Sequence, residues 1–176
     1  RKLSKCYGKE QALKDVSLSI HEGMYGLLGR NGAGKTSLMR ILATLQTQSS
    51  GVVTMNGVSI HDTKTIRGMV GYLPQDFSLY PNMDVYQALD YLAVLSKISG
   101  QERRDRIRNL LEAVNLQDHY KAKIKTLSGG MRRRLGIAQA LLHDPQILVV
   151  DELLPDLTRK NVSVSVTFFQ RSARMM

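Results

Sequence analysis

The sequence predicts an α/β fold whose sheet-and-helix core carries an inserted all-helical stretch. Three observations predict it. Short apolar runs alternate with segments of helical period through the first half of the chain. A glycine-rich octapeptide, GRNGAGKT at residues 29–36, lies between one such run and a helix-like segment. Residues 84–143 then read as helix before the apolar run ILVVD returns the chain to strand.

The elements follow in order. ALKDVSLSI (residues 12–20) alternates apolar and polar residues, as a half-buried strand does. MYGLLG (24–29) is continuously apolar, as in a central strand. GKTSLMRILATLQ (34–46) switches to helical spacing and places Leu38, Ile41, Leu42 and Leu45 on one face. SGVVTMNGVSI predicts a pair of strands turning at Asn56-Gly57, and MVGYL (69–73) a further strand. Residues 84–98 and 102–116 predict two amphipathic helices split by Ser99-Gly100. A third helix runs from Gly129 to His143, where Asp144-Pro145 stops it. Residues 1–152 are expected to form one domain, with the helical subdomain at about 84–143.

A chain of 176 residues, 43% hydrophobic and 23% charged, is long enough to bury a core. No apolar run approaches the roughly 18–20 residues of a membrane span. No signal peptide is visible, and the chain opens on Arg1 with no initiating Met, so a start upstream stays open. The single cysteine, Cys6, cannot form an internal disulfide. A net charge of +10 suits anionic partners. The densest basic run, ERRDRIR (102–108), has no interleaved aromatic residue to stack a base, so no nucleic-acid partner is expected.

The octapeptide matches G-x-x-x-x-G-K-[ST], the phosphate loop of P-loop NTPases. Gly29, Arg30, Asn31, Gly32, Ala33 and Gly34 would turn backbone N–H groups onto phosphate oxygens, and the helix N-terminus adds partial positive charge. Lys35 would reach the β- and γ-phosphates, Thr36 would bind Mg²⁺, and Ser37 would bond the α-phosphate. ILVVDE supplies the complementary carboxylates. Asp151, at the carboxyl end of a strand, is the expected metal holder, and Glu152 is expected to orient and deprotonate the attacking water.

Between these motifs, Leu127-Ser128-Gly129-Gly130-Met131 resembles the signature of ABC (ATP-binding cassette) ATPases. Gln75, in GYLPQDFSLYPNMDV, stands where that family has its Q-loop glutamine. Tyr7 occupies the place of the aromatic residue that stacks on adenine. The resemblance spans residues 1–152, and the wording LLGRNGAGKTSLMRILATL…YLPQDFSLYPNMDVYQALDYLA looks most like bacterial ABC-2-type exporters. It implies a cassette with an N-terminal antiparallel β-subdomain and an inserted helical signature subdomain. ATP and Mg²⁺ are the implied ligands, with Gln75 beside Thr36 and Asp151 at the metal. The signature is implied to close over the ATP of a second cassette in a head-to-tail dimer. An integral membrane subunit is the implied docking partner, which would put the chain on the cytoplasmic face of the cell membrane. Met131 departs from the glutamine that many relatives carry. A soluble ABC ATPase outside transport, or a non-enzymatic nucleotide-binding fragment, are the alternative readings.

After Glu152 the family pattern stops. The family continues PTAGLDP, whereas this chain reads LLPDLTRKNVSVSVTFFQ. Suitable codons for that tail, read one base out of frame, encode TAGLDPEERVRFRNLLS, which looks like the family's own continuation. Residues 153–176 are therefore expected to be a frameshifted tail. The dimer-contacting D-loop, the switch histidine and the C-terminal strands would then be missing, with impaired hydrolysis as the consequence. ILVVD would keep an unprotected edge. NVSVSVTF nonetheless alternates as a strand does, and an added edge strand is the competing expectation.

Overall fold

The computed structural model describes residues 1–151 and the backbone of a strand at 162–170. The chain divides into two compact units, one of Arg1–Gln75 with the residues from Gln146 onward, the other of Asp76–Pro145.

The first unit opens with an antiparallel hairpin, β1 (Leu3–Tyr7) and β2 (Glu10–Val16). β2 ends short of Ile20, the end of its alternating pattern. Asp15 takes a positive φ of 46° there, held because its N–H donates to Ser4 Oγ and its carboxylate accepts from the same hydroxyl. β3 (Gly23–Arg30) leads through the glycine-rich turn into α1 (Lys35–Leu42), which buries Leu38, Met39, Ile41 and Leu42. Leu45 does not join that face: Thr44 turns left-handed at φ 57°, and Leu45 is 57% exposed. β4 (Thr54–Met55) and β5 (Val58–Ser59) pair across Asn56 and Gly57, both at positive φ, as a two-residue hairpin turn requires. The helix α2 (Thr63–Met69) has no counterpart in the sequence reading, since only Ile66 is buried and no apolar stripe marks it. Asp62 caps it by accepting from the Thr65 N–H.

β6 (Val70–Leu73) pairs in parallel with a strand from far along the chain, Ile147–Val150. Leu3, Leu13, Met39, Ile41, Ile66 and Val149 join one core beneath these strands.

The second unit is helical. α3 (Val85–Leu95) starts with a capping box in which Asp84 and Gln87 satisfy each other's backbone N–H groups. α4 (Gly100–Ala113) begins at Gly100 itself, so that glycine opens the helix. α5 (Gly129–Leu141) follows two short 3₁₀ turns. Leu89, Ile107, Leu116, Leu135 and Leu142 form its separate core, and Arg103 ties α4 to Asp90 of α3 at 2.7 Å.

With the strand at 147–150 numbered β7, β8 (Val162–Gln170) completes a sheet of order β3-β8-β7-β6. This corrects three expectations: ILVVD, expected to keep an unprotected edge, lies as β7 between β8 and β6. β8 is no edge strand: it runs antiparallel between β3 and β7, pairing with β7 at Ile147 and Leu148. β3, expected to be central, is instead an edge strand, and its Met24 and Leu28 are 66% and 65% exposed. The physical reason is that strand backbones demand partners, and an alternating Val/Ser segment satisfies them whatever its origin. A cavity of about 1200 Å³ opens in this unit among Leu3, Val16, Ile20, Leu38, Leu42 and Ile147.

Candidate nucleotide site

The phosphate loop is shaped by positive-φ glycines and tied by its lysine. Gly32 and Gly34 both take φ 81°. Gly34 is required twice over, because a Cβ there would lie 2.2 Å from the Ala12 carbonyl oxygen. The Ala33 N–H donates to Arg30 O across the turn, and the Leu38 N–H donates to Gly34 O at the helix start. Lys35 is only 8% exposed, and its Nζ donates to Gly29 O and Arg30 O at 2.7 Å each. The loop's carbonyls thus hold the ammonium at the loop, where phosphate oxygens would compete for it.

Thr36 and Asp151 come together across 115 positions of sequence. Thr36 Oγ1 donates to Asp151 Oδ1 at 3.3 Å. The strand pairing explains this meeting: Leu73 of β6 lies opposite Val150 of β7, and the Asp151 N–H donates to Leu73 O at 2.8 Å. Asp151 is 2% exposed, and burial raises its carboxyl above the ordinary carboxylate range. Hydrogen bonds from Thr36 and Tyr72, then the charges of Arg40 and Lys35, oppose that shift. A hydroxyl and a carboxylate side by side are hard oxygen donors of the kind Mg²⁺ selects, so the residues fit that ion.

Tyr72 was missed in the sequence. Its hydroxyl donates to Asp151 Oδ2 at 3.4 Å, and burial, then the Asp151 charge, raises its own pKa. The signal was present in MVGYL, where the tyrosine stands one residue before Leu73. Only the β6–β7 pairing reveals its target.

Tyr7, at the end of β1, has its hydroxyl 3.1 Å from Ser37 Oγ, which joins this hairpin to the first turn of α1. Gln75 is exposed and lies two residues past β6, at the sheet end that carries Asp151. Glu152 falls outside the described residues. The signature lies in the second unit: Leu127 is buried, Ser128 Oγ accepts from the Met131 N–H at 3.2 Å, and Gly129 and Gly130 are exposed at the start of α5. Arg132 reaches back to donate to Leu127 O at 3.0 Å. A Cβ on Gly129 or Gly130 would meet nothing within 4 Å, so packing within the chain does not require either glycine. Among the described residues, no cluster of three His, Cys, Asp or Glu could hold a metal, and no helix is long and apolar enough to cross a membrane.

A family model described as ABC transporter matches residues 13–154. The chain belongs to the ABC transporter family. The cassette is similar to Nod factor export ATP-binding protein I of Cupriavidus pinatubonensis, at 39% identity over 154 residues, covering 86% of this chain and 47% of that protein. It is also similar to the spermidine/putrescine import ATP-binding protein PotA of Thermotoga maritima, at 34% identity, covering 91% of this chain and 44% of the relative. The chain spans about half the length of the curated relatives it matches. Among solved structures, it resembles the dimeric post-hydrolysis state of the ATP-binding cassette MJ0796 bound to ADP and Pi, with a TM-score of 0.74 and 29% identity over 86% of this chain and 72% of that one. The fold is therefore the ABC cassette form of the P-loop NTPase fold.

Proposed function

We propose that this chain is the ATP-binding and ATP-hydrolysing part of an ABC transporter, an exporter by the wording around its phosphate loop and Q-loop, impaired in hydrolysis by the departure of its tail after Glu152. The observation that carries the reading is the juxtaposition of Thr36 and Asp151 at 3.3 Å beside a loop whose lysine is already gathered onto it. Lys35 and the loop N–H groups bind the triphosphate, Ser37 bonds the α-phosphate, and Tyr7 stacks on adenine. Thr36, Asp151 and Gln75 would hold Mg²⁺, which when bound neutralises charge on the phosphates. Glu152 takes a proton from the attacking water. Leu127, Ser128, Gly129, Gly130 and Met131 face the ATP of a partner cassette, the capping Ser128 and the helix N-terminus supplying the donors. The working protein sits at the cytoplasmic membrane face against an integral membrane subunit. The resemblance to cassettes named for import as well as export leaves the direction resting on the wording around the phosphate loop and Q-loop.

The frameshift reading is supported by where likeness ends: the family match stops at residue 154. Sequencing the locus tests it. The shifted frame should encode PTAGLDP and run on to a switch histidine, and an early stop would defeat the account. Restoring one base should recover ATPase activity from a chain that as it stands should have little or none. In that restored protein, Glu152→Gln should bind MgATP and hydrolyse it at least about a hundredfold more slowly. Normal turnover by the variant would remove Glu152 from the mechanism. Lys35→Ala should abolish ATP binding in either protein, and retained affinity would sink the phosphate-loop reading.

A further inference from the structure

The segment that follows α1 grips the end of β1 at two points. Tyr7 Oη donates to Gln46 Oε1 and lies 3.1 Å from Ser37 Oγ. A phenol has one proton; with that proton on Gln46, Ser37 must be the donor in the second contact. One residue further on, the Thr47 carbonyl accepts from Lys5 Nζ at 2.7 Å, and the same ammonium stands 5.0 Å from the centre of the Tyr7 ring. The tyrosine is therefore fixed at its tip by Gln46 and Ser37, and Lys5 sits over its ring. Tyr7 as a whole remains 43% exposed, so these contacts set the direction of its side chain without burying the residue.

We infer that Gln46 is a positioning residue for adenine recognition, holding the Tyr7 ring at the tilt a base must meet. The inference rests on the stacking assigned to Tyr7 above. The proton count gives Gln46 its particular role. An α-phosphate has no hydrogen to give, so when Ser37 bonds it, the Ser37 proton turns away from Tyr7. The bond from Tyr7 to Gln46 needs no such rearrangement. It survives nucleotide binding with its donor and acceptor unchanged, and it stays as the anchor that keeps the ring from swinging. Neither Gln46 nor Thr47 belongs to the phosphate loop, so the effect should fall on the base and spare the phosphates.

The test compares ATP with inorganic tripolyphosphate, which has the phosphates and no base, by calorimetric titration of the full chain. Gln46→Leu should weaken ATP about threefold to tenfold, the range of one hydrogen bond, and leave tripolyphosphate unchanged. Tyr7→Phe, which keeps the ring and loses the hydroxyl, should show the same loss, and adding Gln46→Leu to it should cost nothing more. Tyr7→Ala should weaken ATP further. Equal weakening of both ligands by Gln46→Leu would make the residue a support for α1 and overturn the inference. So would additive losses in the double variant, or Tyr7→Ala weakening ATP while Gln46→Leu and Tyr7→Phe do not. If Tyr7→Ala leaves ATP binding unchanged, the stacking assignment itself falls, and the inference with it.

Discussion

Asp151 is nearly enclosed, 2% exposed, yet it is the carboxylate the metal would need. Its two oxygens are divided between two hydroxyls, Thr36 on Oδ1 and Tyr72 on Oδ2, so the carboxylate plane is set before any ligand arrives. Thr36 would itself be a metal donor, whereas Tyr72 acts only by orienting the carboxylate. Such supporting hydrogen bonds change metal affinity by about tenfold or more when removed. Tyr72→Phe should therefore raise the Mg²⁺ concentration for half-maximal MgATP binding by about tenfold, with metal-free nucleotide affinity unchanged. Titrations at stepped Mg²⁺ read this directly. A Mg²⁺ requirement identical to that of the parent would reduce Tyr72 to a packing residue.

At the scale of the element, the turn between β3 and α1 is held in place by the neighbouring strand. Gly34 caps α1 at φ 81° with the Ala12 carbonyl directly behind it, and Leu13 Cδ2 would lie 2.8 Å from any added Cβ. Gly57 has the same φ in the β4–β5 turn with nothing within 4 Å. The pair separates backbone strain from collision. Gly57→Ala should destabilise the chain by about 1 kcal/mol, the left-handed penalty alone. Gly34→Ala should exceed that by at least ~1–2 kcal/mol and lower ATP affinity as well, because the loop must move off β2. Urea unfolding of both variants gives the comparison; equal losses would mean that β2 yields to the new methyl group.

Over the whole molecule, two cores divide the work. The core around Met39, Ile41 and Val149 underlies the phosphate loop and Asp151, and the core around Leu89, Ile107 and Leu135 carries the signature on α5. Leu89 is fully buried, so Leu89→Ala should destabilise the helical unit by about 2–5 kcal/mol. The chain's affinity for its own ATP should persist, since every residue assigned to that nucleotide lies in the first unit, whereas the signature residues face a partner's ATP. Calorimetry of unfolding with and without ATP checks both halves of the expectation. Loss of nucleotide binding in a folded Leu89→Ala chain would show that the first unit cannot hold its site alone. The exposed Met24 and Leu28 on the edge strand β3 leave this edge of the first unit open to association.

The local chemistry was legible in the sequence because it is written in consecutive residues. A phosphate loop needs its glycines, lysine and hydroxyl within eight positions, a capping serine needs its helix directly after it, and a hairpin turn needs Asn56-Gly57 side by side. Element ends were less legible, since Thr44 after α1 and Asp15 near the end of β2 leave regular geometry through left-handed backbone that no periodicity announces. α2 was silent for a related reason: a seven-residue helix burying one side chain has no stripe to read. What only the tertiary structure decided was set by pairing between distant segments. Tyr72 meets Asp151, and Gln46 meets Tyr7, because β6 lies beside β7 and the segment after α1 returns to β1. The fate of the edges was decided in the same way. β8 pairs antiparallel along β3 and with β7 at Ile147 and Leu148, so it meets part of the backbone hydrogen bonding that both strands need.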